Sequence, residues 1–158
     1  MSLAALARHR RVYIATPYTK YRLGIQEAWK AAVDVCGRLK HEGVVLYSPI
    51  VHSHPIAVMG GIDPLDFKMW IKDNESQVAD ADAIAVIQLE GWEESYGVKV
   101  EIDAFKAAGK SLYLVHPVTL EVTLFTPPPE PLEPTPLELA IARLDADAVA
   151  EASNHGCL

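Results

Sequence analysis

Residues that staple, metallate or anchor a chain are scarce here. Two cysteines stand in 158 residues, Cys36 and Cys157, and no pair or cluster of them has metal-ligand spacing. Cys36 falls on the apolar stripe of a predicted helix and Cys157 in the tail, so both read as plain thiols in a reducing, cytoplasmic setting. No run approaches the roughly 20 apolar residues that span a bilayer. The start, Met1 to Arg11, lacks the charge-then-apolar order of a signal peptide, so no leader is expected. Basic runs are missing too: 14 Lys and Arg face 21 Asp and Glu, a formal net charge of −7. That balance argues against a nucleic-acid backbone or an anionic membrane as partner, while a small ligand needs only a few local donors. The glycines of a Walker loop or dinucleotide fingerprint are absent, and no internal repeat is found.

What is present suits one domain with one core, half of the residues being hydrophobic and 22% charged. Arg11–Ala15 reads as a short strand ending at Thr16-Pro17. From Leu23 to Leu39 the apolar residues Ile25, Ala28, Trp29, Ala32, Cys36 and Leu39 recur at helical spacing. Gly43 stops that helix before a strand at Val44–Tyr47. Two prolines, two glycines and two histidines between Ser48 and Asp63 read as a long loop. A helix capped by Asp63 then runs from Pro64 to about Ala81. Ala83–Ile87 is apolar throughout, as in a central strand buried on both faces. A helix over Ser95–Ala108, a strand over Ser111–Val115 and an edge strand within Glu121–Leu124 follow. This β-α-β order predicts a single-domain flavodoxin- or Rossmann-like three-layer α/β sandwich with a parallel sheet of four to five strands over residues 1–125. Residues 126–136 form a proline-rich linker, and 137–158 a C-terminal helix and tail whose helix, Leu137–Val149, needs a surface to dock on.

In such sheets ligands sit beyond the carboxyl ends of the strands, so the loops after Ala15, Tyr47 and Leu89 should share one rim. Two acids stand out. On the Ser95 helix, Lys99, Asp103, Lys106 and Lys110 mark a wet face, while Glu101 points roughly opposite, among Gly97, Val98, Ala104, Phe105 and Ala108. A carboxylate turned toward a core costs several kcal/mol unless it is paired or lines a cavity; a structural Glu held by an arginine or amide is the plainer reading. Asp73 shares a helix side with Asp66, Met69, Trp70 and Gln77, with Asp66 a rival and a hydrogen-bonded helix residue the alternative. Two acids converging on one rim suit covalent glycosyl chemistry, one attacking the anomeric carbon and the other protonating the leaving group. Thr16, Thr19, Lys20 and Arg22 gather hydroxyls and cations before a helix, an arrangement that holds anions or serves as an ordinary solvated turn. His52 and His54 lack a third metal ligand, so base contact or loop ordering is preferred to metal.

The segments Val12–Thr19, Asp73 ahead of Ala81-Asp82-Ala83, and Tyr96–Lys110 resemble the nucleoside 2-deoxyribosyltransferase superfamily. Its small uncharacterised bacterial and phage branch also carries the Ser48–Pro55 loop. The likeness runs from about Arg11 to Val115, its most specific part being Gly97-x-x-x-Glu101 ahead of a Gly-Lys strand. It implies cleavage or exchange of the N-glycosidic bond of a nucleoside or its 5′-monophosphate. In that chemistry Glu101 is the nucleophile, Tyr13 orients it, and Asp73, protonated beside an ionised Glu101, donates to the departing base. Ser95 stands where the transferases carry an acid for the 5′-hydroxyl and the nucleotide hydrolases a serine near the 5′-phosphate. The monophosphate is therefore favoured, with Lys20 and Arg22 completing its site, although Glu93 and Glu94 oppose it. Gly97, Trp92, His52 and His54 join the expected substrate contacts. No cofactor or metal is required, and the likeness implies a homodimer or larger assembly in which a neighbour closes the site. A ligand-binding module for nucleotide or ADP-ribose, or a glycohydrolase of NAD, are the rival readings.

Overall fold

The computed structural model describes residues 2–125; the expected linker and C-terminal helix lie outside them. The elements run α1 (Ala4–Ala7), β1 (Val12–Ala15), α2 (Ile25–His41), β2 (Leu46–Tyr47), α3 (Pro49–Gly60), α4 (Phe67–Asp80), β3 (Ala83–Ile87), α5 (Tyr96–Ala107), β4 (Ser111–Val115) and β5 (Val122–Leu124). Five strands form one sheet in the order β2-β1-β3-β4-β5. β1 pairs in parallel with β2 and β3, and β3 with β4, whereas β5 returns antiparallel on β4. The chain is thus an α/β sandwich of the Rossmann or flavodoxin-like kind, as its alternating pattern predicts.

Strand periodicity divides the core in two. Along β1, Val12 and Ile14 face a cluster with Leu6 of α1 and Val35, Cys36 and Leu39 of α2. Tyr13 and Ala15 face the other side, with Ile84, Val86, Leu112 and the α5 residues Val98, Ile102 and Phe105. Each large side chain withdrawn from water here contributes roughly 1.5–3 kcal/mol. Burial pushes the Cys36 thiol up to about 11, against the pull of the Ser48 hydroxyl, which leaves it an unreactive packing residue.

Helix α1 has no counterpart in the sequence reading, and among the other differences three bear on the rim. The expected loop over Ser48–Asp63 is largely helix α3. Ser48 caps it by accepting from the Val51 amide at 3.4 Å, and Pro49 takes the first position, where a missing N–H costs nothing. Gly61 ends it in the left-handed region at φ 67°. Signals read as loop punctuation were therefore a start and a stop, with only Pro55 lying inside. α4 begins at Phe67 rather than Pro64, because Asp63 folds back on the Leu65 amide and Asp66 caps the helix through the Lys68 amide at 3.2 Å. β2 holds two residues instead of four.

Candidate functional site

The order β2-β1-β3 makes β1 the strand at which the chain reverses its direction of winding, and the loop at its carboxyl end borders a cleft. That cleft, about 540 Å³, is walled by the residues after β1 (Thr16, Tyr18, Thr19), by α3 (Pro49, Ile50, Ser53), by α4 and its approach (Leu65, Trp70, Ile71, Asn74) and by α5. Its size suits a small organic ligand. On α5 the stripe Gly97, Glu101, Ala104 and Ala108 lines it, the i, i+4, i+7 spacing of one helix face. Small residues around Glu101 leave its carboxylate room to meet a ligand.

Tyr13 is fully buried in the middle of the sheet, and the strand alternation that turns Val12 and Ile14 away aims its ring at α5. Its hydroxyl donates to Glu101 Oε1 at 2.7 Å. Phe105 and Tyr47 hold the ring, with centroids at 5.4 and 6.0 Å. Burial pushes Glu101 up to about 8, with the Tyr13 hydrogen bond pulling the other way. Burial and then the charge of Glu101 drive the Tyr13 phenol far above its ordinary range, so it remains a donor. At Glu101 desolvation outweighs the one hydrogen bond and favours the protonated acid.

Ser95 is buried at 5% exposure and caps α5, accepting from the Val98 amide at 3.4 Å. Thr16 is equally buried, and its hydroxyl has no protein partner. Thr16, Ser95 and the first turn of α5 all border the cleft, so an oxygen-bearing ligand group finds hydroxyls and the positive end of a helix together.

Residues 10–116 match the family described as a domain of unknown function (DUF1937). The chain belongs to the DUF1937 family. No curated protein matches it.

The DUF1937 domain brings together Tyr13, Glu101, Thr16, Thr19, Ser95 and Gly97 of the expected site. The remaining ones lie elsewhere. Asp73 is exposed on α4, a helix without a single fully buried residue among those described, so the inward placement read from its spacing is corrected. It still lies close enough to Tyr47 that burial, Asp73 and Glu101, in that order, raise the Tyr47 phenol. Lys20 is exposed, and Arg22 pairs with Glu90 at 3.1 Å; neither lines the cleft. Trp92 packs against the α5 side of the core, and His52 sits on the surface beside Tyr47, ring centroids 5.8 Å apart. His54 is buried behind Tyr18 rather than in the cleft wall. Lys110 does line the cleft, yet its ammonium is occupied by the Val78 and Ala79 carbonyls at 2.7 and 2.8 Å. Tyr18 lines the cleft without having been singled out in the sequence; one polar ring in a loop carries no periodic signal. Among the described residues no group of three or more His, Cys, Asp or Glu is placed to hold a metal, and no helix is long and apolar enough to cross a membrane.

Proposed function

We propose that this domain cleaves or exchanges the N-glycosidic bond of a nucleoside through a covalent glycosyl ester on Glu101. The observation that carries the reading is the Tyr13–Glu101 hydrogen bond of 2.7 Å, at the floor of a cleft beyond the carboxyl ends of the strands. A carboxylate that keeps one oxygen on a phenol is fixed in orientation and offers the other to C1′. Positive charge develops on the sugar in the transition state and favours the ionised carboxylate just when it is needed. The sequence likeness gives Asp73 the role of protonating the departing base; its side chain is exposed on α4, outside the cleft lining. Water then resolves the ester in hydrolysis, or a second base does so in transfer.

Thr16, Ser95 and the α5 amino terminus receive the 5′ end of the sugar. Lys110, the cation of the described cleft lining, is occupied by backbone carbonyls, while Glu93 and Glu94 precede Ser95. These charges favour an uncharged 5′-hydroxyl over the monophosphate that the sequence likeness favoured. A reducing cytoplasmic setting fits the buried, high-pKa thiol of Cys36, and a homodimer belongs to the same proposal. The test is release of free base from pooled nucleosides and 5′-monophosphates, resolved by chromatography. Glu101→Ala is expected to lose at least about 1,000-fold in turnover with its circular dichroism unchanged; an undiminished rate in that variant removes the nucleophile.

A further inference from the structure

Behind the cleft wall lies a set of side chains that the proposed chemistry does not use. His54 of α3 is 3% exposed. Its ring stacks on Trp29 of α2, with centroids 5.0 Å apart and planes 17° apart. Both ring nitrogens are engaged: Nε2 lies 2.9 Å from Gln26 Oε1, and Nδ1 lies 2.6 Å from the Tyr18 hydroxyl. Tyr18 itself lines the cleft.

The orientation of Gln26 sets the direction of this chain. In the structure Gln26 presents Oε1 to the ring, and in that arrangement, since Oε1 can only accept, Nε2 carries a hydrogen and donates it. A neutral imidazole has one N–H, which leaves Nδ1 bare, and the Tyr18 hydroxyl donates to it. Burial favours the uncharged ring, holding His54 below its ordinary value. With its hydrogen committed to the wall, the Tyr18 oxygen has only lone pairs left to offer to the cleft.

We propose that Gln26 and His54 set Tyr18 as an obligate hydrogen-bond acceptor in the cleft, so that the bound ligand is selected for a donor, a hydroxyl or an amino group, at that point. Tyr18 is the specificity residue, and His54 and Gln26 are positioning residues that act through it. The inference rests on the nucleoside reading of the cleft, in which such a donor comes from a sugar hydroxyl or from an exocyclic amine of the base. A ligand with an acceptor in the same place meets two opposed lone pairs and no proton.

The experiment compares KM and kcat for base release from probe pairs that differ by one donor. Adenosine against purine riboside and guanosine against inosine test the amine; ribosides against their 2′- and 3′-deoxy analogues test the sugar. Wild type is expected to favour the donor-bearing member of one series, which identifies the source. Tyr18→Phe should raise KM for that member roughly 3- to 10-fold relative to its donor-lacking partner. His54→Asn keeps an acceptor near the Nδ1 position and should retain the preference. Gln26→Glu, at an exposed site, places a carboxylate on Nε2, favours the doubly protonated ring and turns Tyr18 into a donor, so the preference should vanish. If His54→Asn fails to fold, Tyr18→Phe and Gln26→Glu still decide. A Tyr18→Phe enzyme whose KM shifts equally for both members of every pair overturns the inference and leaves the nucleoside reading standing. A wild-type protein that neither releases base from any probe nor gains thermal stability from one overturns both.

Discussion

A carboxyl held near 8 by burial and gripped by a phenol has a definite signature in pH. If Glu101 attacks as the anion, kcat/KM rises with pH, reaches half its maximum near 8 and levels off above that. Tyr13 donates to that anion at 2.7 Å and so favours it. Tyr13→Phe should therefore move the rising limb to higher pH and lower the plateau roughly 10- to 100-fold; a rate that falls above pH 8 in wild type instead makes Glu101 the proton donor. The same residue leaves a mark on stability. Its folded-state pKa lies above the ordinary 4.5, so the folded chain retains a proton that the unfolded chain has already released. Stability from this group is complete below about 4.5, declines as pH rises, and is lost by about 8. Glu101→Gln keeps an acceptor for Tyr13 without the charge. Its melting temperature should match wild type at pH 4 and exceed it by several degrees at pH 8, and scans at the two values check the difference.

At the scale of elements, the cleft depends on how loops seat against one another. Gly91 follows β3 at φ +87°, and a Cβ there would strike the backbone of Lys20 in the loop after β1. Gly91→Ala should cost about 2 kcal/mol or more, because the conformation and the contact both exclude a side chain; thermal or urea unfolding measures it. This contact accounts for Lys20: its backbone builds the rim while its side chain faces water, and composition reveals only the side chain. Elsewhere the sequence was readable wherever one physical pattern dominated. β3 and β4 matched their predicted bounds because each is a short, mostly apolar strand between clear stops, and α5 because Ser95 caps it and Gly109 ends it. Glu101 was found as a charge on the dry side of that helix. α3 escaped because Pro49 and Gly61 have one meaning in a loop and another at the ends of a helix, and local composition does not choose between them. Asp73 was turned inward by a rule that assumes each helix has a buried side, and α4, lying at the rim, has little of one. His54 was singled out in the sequence, but its role depends on Tyr18 and Gln26, which lie 36 and 28 residues away.

Over the whole molecule the field is negative, with a formal net charge of −7. A dianionic 5′-monophosphate approaches against that field. The prediction is a kcat/KM at least about tenfold higher for a nucleoside than for its monophosphate at low salt, with the gap narrowing as ionic strength rises and the Debye length shrinks. Equal rates at low salt would restore the monophosphate as substrate, and initial rates at two salt concentrations suffice.

The two residues of the central pair stand 88 positions apart, and one of them belongs to a strand whose register, Tyr13 opposite Ile84, decides which face it serves. A slip of one residue in that pairing would send Tyr13 to the opposite face and bring an aliphatic neighbour in its stead. Base release is therefore a stricter reporter of correct assembly than backbone spectroscopy. During refolding, helical and strand signals should return first, and a misregistered fraction would look folded while remaining inert.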